Sequence, residues 1–246
     1  MLISSIENER VKKYIKLKER KNREKYKEFI VEGVHLVLEA YKKDLVIEII
    51  LEQDEVLPLN SEMIYVSKEI LKKISTVETP QNIMALCRMP DYTETIGEKI
   101  LIADEIQDPG NLGTLVRSGV AFDVDTIILS KNTVDLYNPK TIRSTQGMLF
   151  HTNIINNVDI LNVINKIKEK DIPVYGTKVG YGSDVRKLKE DDKKRYALVV
   201  GNEGNGVREE VSDICDLNLY IDTNDNVESL NVGIATSILL YELRGK

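Results

Sequence analysis

Cysteine and histidine are scarce in this sequence, with two of each in 246 residues. Cys87 and Cys215 form no CxxC pair and no Cys/His cluster, so neither a disulfide framework nor structural zinc is expected. His35 and His151 stand beside no cysteine and in no metal-type spacing. Zinc chemistry and a histidine-based triad therefore lose their usual components, and no metal ligands are assigned. No apolar run reaches the roughly 18 residues that a membrane-spanning helix needs. The first residues, "MLISSIENERVKKYIKLK", carry no apolar core, so no secretory signal is expected. There is no internal repeat and no low-complexity tract. With 42% apolar and 30% charged residues, what remains is a globular chain expected in the reducing cytoplasm.

Positive charge is in deficit overall but not everywhere. The formal charge of −6 disfavours a nucleic-acid partner, and neither DNA nor a membrane is expected as one. Residues 8–27, "NERVKKYIKLKERKNREKYK", nevertheless hold ten Lys/Arg against three Glu, a local +7, leaving −13 on the rest. Such asymmetry is the footprint of a polyanionic partner at one end, or of a solvated helix face laced with Glu–Lys pairs.

Hydrophobic periodicity divides the chain in two. The basic stretch reads as one helix with Val11, Tyr14, Ile15 and Leu17 on a thin apolar side. Strand "FIVEG", helix "VHLVLEAYKK", strands "VIEIILEQ" and "MIYVS", helix "KEILKKIST" and strand "NIMALCRMP" complete an α/β domain over 1–90. Polar "DYTETIGEK" (91–99) reads as a linker. Over 100–246, apolar strands "ILIADEI", "DTIILS", "TNII", "PVYGTK", "YALVV" and "LNLYI" alternate with helices over 111–122, 138–149, 159–170 and 230–244. Alternation of this kind specifies a parallel sheet covered on both faces. Ligands of such sheets bind beyond the carboxyl ends of the strands. Three polar loops fall there: "DEIQDPGNLGTLVRS", "GNEGNGV" and "DTNDNVESLN".

In the first loop Asn111 is placed to cap the following helix, whose apolar stripe is Leu112, Leu115, Val116 and Val120. Arg117 lies off that stripe. By itself it reads as a surface arginine; in a ligand crevice its fork would hold a phosphate or a deprotonating hydroxyl. The second loop has glycines but lacks the Gly-Lys-Ser/Thr of a phosphate cradle and the GxGxxG of a dinucleotide fold. "GYGSDV" (180–185) matches the latter only in part. Glu203 disfavours a phosphate-rich ligand and suits one bearing positive charge or hydroxyls. In the third loop Ser229 reads as the cap of the last helix, with Leu230, Ile234, Ile238 and Tyr241 as core and Asn231 in the first turn.

Taken together, "NLGTLVR", "GNEGNGV" and "ESLNVGIATSILLYE" resemble, in order, the three motifs of the SpoU/TrmH family of RNA ribose methyltransferases in the SPOUT superfamily. "TIRSTQGMLF" is similar to a further family segment, with Met148 where a small residue is usual. Residues 1–90 resemble the L30-like RNA-binding domain often fused in front. The resemblance implies an α/β SPOUT domain with a deep trefoil knot at the carboxyl end, working as a homodimer. It implies a pocket for S-adenosyl-L-methionine, a sulfonium without phosphates, lined by Thr177 and by the backbone of Gly201, Ile221 and Leu230. Arg117 would bind phosphate and stabilise the alkoxide formed from a ribose 2′-hydroxyl. Asn111 and Glu203 would orient Arg117 or the ribose, while Ser229 and Asn231 would bind substrate or brace the loops. Lys12, Lys13, Lys16, Lys18 and Arg143 are the expected RNA contacts. The implied activity is methyl transfer to RNA, with ribosomal RNA preferred on the fused domain. Transfer RNA, or a catalytically silent ribosome-assembly factor, are the competing readings.

Overall fold

The computed structural model describes residues 2–245. In chain order the elements begin β1 (Leu2–Ile3), α1 (Glu9–Lys16), α2 (Arg20–Tyr26), β2 (Glu28–Glu32), α3 (Val34–Lys42), β3 (Val46–Glu52), β4 (Glu62–Val66), α4 (Lys68–Ile74) and β5 (Ile83–Arg88). They continue with β6 (Lys99–Ala103), α5 (Pro109–Ala121), β7 (Thr126–Ser130), α6 (Pro139–Thr145), β8 (Asn153–Val158) and α7 (Ile160–Lys168). The last are β9 (Val174–Thr177), β10 (Ser183–Asp184), β11 (Tyr196–Val200), α8 (Glu209–Ser212), β12 (Leu217–Tyr220) and α9 (Val232–Leu243).

One unit comprises the chain up to Asp91 together with Asp135–Phe150. Its sheet has the order β1-β4-β3-β5-β2, with β5 antiparallel to β2 and β3 and the remaining pairs parallel. Val11, Tyr14 and Leu17 pack with Ile70, Leu71 and Ile74 of α4 over Ile50, Ile64 and Leu86. The basic stretch is two helices rather than the expected one. Leu17 turns into the core and Glu19 is extended (φ −92°, ψ 132°). Arg23 accounts for the break: its Nη1 donates to the carbonyls of Leu17 and Lys18, each at 2.7 Å. Those acceptors would otherwise end a helix unsatisfied. The expected helix over 138–149 stops at Thr145, because Gln146 (φ 51°) and Gly147 (φ 83°) enter the left-handed region.

The other unit, Tyr92–Val134 and His151 onward, is built on seven parallel strands in the order β10-β12-β9-β11-β6-β7-β8. Strands β7 and β11 are buried at every position, which is why they read as unbroken apolar runs. From β6 the chain winds outward through β7 to β8, then returns on the other side of β6. At such a reversal the carboxyl ends of the adjacent strands, here β6 and β11, are where a parallel sheet binds its ligand. Helices α5 and α9 lie against each other through small groups. Ser118 and Ser237 hydroxyls share a 2.7 Å hydrogen bond, and a Cβ at Gly233 would lie 2.9 Å from Thr114 Cγ2. This close packing sets the rotation of α9. Gly233, Thr236, Leu239, Leu240 and Leu243 are its buried residues, whereas Ile234, Ile238 and Tyr241 are 54%, 37% and 64% exposed. The expected core positions Ile234, Ile238 and Tyr241 thus lie on the outer face.

Candidate active site

Strand order brings four chain segments side by side. Reading β12-β9-β11-β6, the sheet places Ile221, Thr177, Gly201 and Asp104 in sequence at its carboxyl edge. Thr177 pairs with Leu219 at the end of the β9–β12 ladder; Ile221 directly follows β12, and it and Leu230 are half-buried.

The loop after β11 is closed on itself. Asn202 and Gly206 exchange two backbone hydrogen bonds of 2.9 Å, and Asn202 Oδ1 accepts from the amides of Gly204 (2.8 Å) and Asn205 (3.2 Å). A Cβ on Gly201 would fall 2.0 Å from the carbonyl carbon of Gly206 and 2.1 Å from the nitrogen of Val207. Glycine is required there by the loop's own return path, not by the close approach of a ligand alone.

Helix α5 starts earlier than expected. Its cap is Asp108, whose Oδ1 accepts from Asn111 N at 2.9 Å, with Pro109 in the first position. Asn111 is therefore inside the helix, and its side chain is released for another task. Nδ2 donates to Glu203 Oε1 at 2.9 Å and Oδ1 accepts from Asn231 Nδ2 at 2.9 Å. Glu203 is ionised and can only accept, which fixes the orientation of the Asn111 amide. Asn231, not Ser229, caps α9: its Oδ1 accepts from Gly233 N (2.9 Å) and Ile234 N (3.3 Å). Ser229 is exposed and has no hydrogen-bond partner among the described residues. The chain Glu203–Asn111–Asn231 thus ties all three loops together.

Glu203 also accepts from the amides of Gln107 (3.2 Å) and Asp108 (3.1 Å). Burial alone would raise its carboxyl; the hydrogen bonds from Asn111 and these amides outweigh burial and hold it below the ordinary value. It makes no bond to Arg117. That guanidinium is exposed on α5, without a hydrogen bond or ion pair among the described residues, and is free to meet a ligand.

Two residues escaped the sequence reading. Asp104, at the end of β6, has no exposed surface. Arg208 leaves the glycine loop and donates to it from Nε (3.0 Å) and Nη2 (2.8 Å), with its amide adding a 3.3 Å bond. A carboxylate buried this deeply needs such a partner, and its hydrogen bond holds the Arg208 guanidinium above its ordinary value. The available signal was a carboxylate directly after the apolar run "ILIA" and an arginine directly after "GNEGNGV".

The expected RNA contacts lie in the first unit and fare differently. Lys12 pairs with Glu7 and Glu9 at 3.0 and 3.2 Å, and Lys13 with Glu28 at 2.6 Å. Lys16 is exposed without a carboxylate partner among the described residues. Lys18 Nζ donates to the Ser75 carbonyl at 2.7 Å, and Arg143 Nη1 to Thr76 Oγ1 at 2.8 Å.

The Glu203 carboxylate at this edge, in a loop without the Gly-Lys-Ser/Thr of a phosphate cradle, suits a cationic ligand without phosphates. The residues present therefore fit a sulfonium cofactor. Comparison with known proteins agrees. Residues 98–241 match the SpoU rRNA Methylase family, and residues 8–85 match the MRM3-like substrate binding domain. The chain is 37% identical to the 23S rRNA (guanosine(2553)-2′-O)-methyltransferase RlmP of Bacillus subtilis, over 99% of both proteins. It superimposes on a crystal structure of an RNA 2′-O ribose methyltransferase with a TM-score of 0.84, at 27% identity, covering 99% of this chain and 98% of that one. An AdoMet-bound rRNA methyltransferase from Sinorhizobium meliloti gives a TM-score of 0.85 at 25% identity, covering 99% and 97%.

Proposed function

Because this chain belongs to the SpoU rRNA methylase family, we propose that it methylates a ribose 2′-hydroxyl of ribosomal RNA using S-adenosyl-L-methionine. The observation that carries this reading is the Glu203–Asn111–Asn231 chain, which joins three loops at the carboxyl edge of a parallel sheet and holds the start of α5, the helix whose exposed Arg117 has no partner among the described residues. The full-length likeness to a 23S rRNA enzyme favours ribosomal over transfer RNA, and the guanosine in that relative's name is the first position to test.

The cofactor, when bound, supplies an electrophilic methyl group on sulfur. Thr177 and the backbone of Gly201, Ile221 and Leu230 form the wall that holds it. The protein's remaining task is to place the ribose oxygen in line with that methyl and to stabilise the charge as its proton leaves. Arg117 has the planar fork for an alkoxide or the neighbouring phosphate. As a permanently charged group it acts electrostatically rather than by accepting the proton. Glu203 and Asn111 act on the loops: they hold the start of α5, and hence the helix that carries Arg117. Asn231 fixes the start of α9, and the free Ser229 hydroxyl is left to touch substrate.

The same reading includes a trefoil threading of the carboxyl-terminal segment, a cytoplasmic location and a domain division at residues 1–90, 91–99 and 100–246, with Asp135–Phe150 of the last segment clustering with the first unit. A homodimer belongs to it too, supported by the exposed apolar stripe Ile234, Ile238 and Tyr241 on α9. The test is methyl transfer from labelled cofactor to 23S rRNA, with 2′-O-methyl mapping of ribosomal and transfer RNA. Arg117→Ala should lower the rate at least about a hundredfold, the scale of losing one oxyanion donor, and leave cofactor affinity unchanged. A wild-type rate in that variant would sink the assignment.

A further inference from the structure

Six of the ten cations in residues 8–27 are neutralised by carboxylates: Arg10, Lys12, Lys13, Arg20, Lys21 and Arg23. The local +7 is therefore mostly internal, and the useful question is where unneutralised charge collects. One place is a narrow cleft in the first unit, lined by Lys18, Arg23, Glu32, Thr76, Tyr137 and Arg143 among apolar neighbours.

Its polar groups are unevenly satisfied. Glu32 is the one carboxylate in the lining, and it already accepts from Ser75 Oγ (2.8 Å) and Gln81 N (3.0 Å). Among the described residues Lys18 has only the neutral Ser75 carbonyl, and Arg143 only the neutral Thr76 hydroxyl. Arg23 is 4% exposed; two of its nitrogens are bonded, but its Nε is a buried donor with no partner among the described residues. A buried donor left unpaired costs about 1–3 kcal/mol, and it marks a position that an acceptor would fill. Burial also draws the Lys18 amine below its ordinary value, with Glu32 opposing and Lys73 assisting that shift. An anion in the cleft would reverse this.

We propose that this cleft is an oxyanion site that seats one backbone phosphate of the RNA substrate, with Lys18 and Arg143 supplying charge and Thr76 and Arg23 Nε–H supplying directional donors. A phosphodiester offers several acceptors in a small volume, as this set of donors requires, and the Arg fork suits it. Phosphate contacts of this kind position a nucleic acid without reading its sequence. The assignment to RNA rests on the function proposed above; the anion site itself rests on the cleft.

The experiment uses the full chain and a fluorescein-labelled RNA hairpin, with affinity measured by anisotropy across a KCl series. Lys18→Gln combined with Arg143→Gln should make the slope of log K against log[KCl] shallower by about 1, the value for one lost phosphate contact. Affinity near physiological salt should fall about tenfold, while cofactor affinity by calorimetry stays unchanged. Lys18→Arg with Arg143→Lys should restore the slope. If the double variant melts early, Arg143→Gln alone, which can keep the Thr76 bond, should still lower the slope. An unchanged slope overturns the proposal. Inorganic phosphate raising the wild-type melting temperature, with no change in RNA slope between wild type and variant, would show a free-anion site and overturn the RNA assignment. Since the assay reads binding without methyl transfer, failure to methylate RNA would sink the proposed function and leave this result separately readable.

Discussion

Replacing Gly201 by alanine should disable the loop that follows β11. The new Cβ would stand 2.0 Å from Gly206 C, 2.1 Å from Val207 N and 2.2 Å from Gly206 O, all backbone atoms. Ordinary carbon contacts begin about 3.5 Å apart, so the returning strand of the loop must retreat by more than about 1 Å. That retreat breaks the two Asn202–Gly206 hydrogen bonds, each contributing about 1 kcal/mol. Residual overpacking adds about 1–3 kcal/mol. The total, about 3–5 kcal/mol, should lower the melting temperature by about 10 °C for a chain of this size. It should weaken S-adenosylmethionine about a hundredfold or more, because the binding-competent loop becomes a minor state. Gly204→Ala is the internal control: its Cβ meets only Asn202 Oδ1, at 3.5 Å, and should change stability by less than about 0.5 kcal/mol. Calorimetric cofactor titration and scanning fluorimetry of both variants decide the matter. If Gly201→Ala matched Gly204→Ala in both measurements, the steric reasoning would be refuted.

Two further predictions concern charge and surface. Glu203 has a folded-state value below its ordinary 4.5, so its contribution to stability is full above that pH and is lost as pH falls through the folded value. The melting-temperature advantage of wild type over Glu203→Gln should therefore shrink steadily as the pH is lowered below the ordinary carboxylate range, and an advantage independent of pH would refute the linkage. Ile238→Glu places a carboxylate in the exposed α9 stripe. Burying it unpaired in a dimer costs about 3 kcal/mol, so sedimentation should show dissociation at concentrations about a hundred times higher than for wild type. An unaltered association state would move the dimer contact elsewhere.

Much of the fold was legible because its strands are unambiguous. "TIILS" and "YALVV" are buried along their whole length, and runs this apolar, alternating with amphipathic helices, admit a parallel sheet and little else. Local signals failed where two residues could perform the same local role. Asp108 and Asn111 are both acceptable caps for α5, as Ser229 and Asn231 are for α9. Asn111 leaves the cap of α5 to Asp108 and bonds Glu203 and Asn231 instead, whereas Asn231 caps α9 with its Oδ1 and reaches Asn111 with its Nδ2. The outer face of α9 was misread for a related reason. The helix is apolar on nearly every side, so periodicity could not say which side faces α5; the small groups Gly233 and Ser237 did. The basic stretch carried an excess of charge in the sequence, yet its carboxylate partners, such as Glu48 and Asp135, lie 38 and 112 residues from the arginines they bind.

By itself the sequence determined the order of strands and helices, the three polar loops at the carboxyl ends, and the motif spacing that marks the family. Those features are encoded in neighbouring residues, where propensity and hydrophobic period act. Only the tertiary structure decided that Glu203 braces Asn111 rather than Arg117, and that Asn111 bridges to Asn231. It alone showed that Gly201 is small because its own loop folds back over it. The hydrogen bonds concerned span 92 and 120 residues, and a partner that far along the chain is selected by the packing of the sheet, not by any local preference.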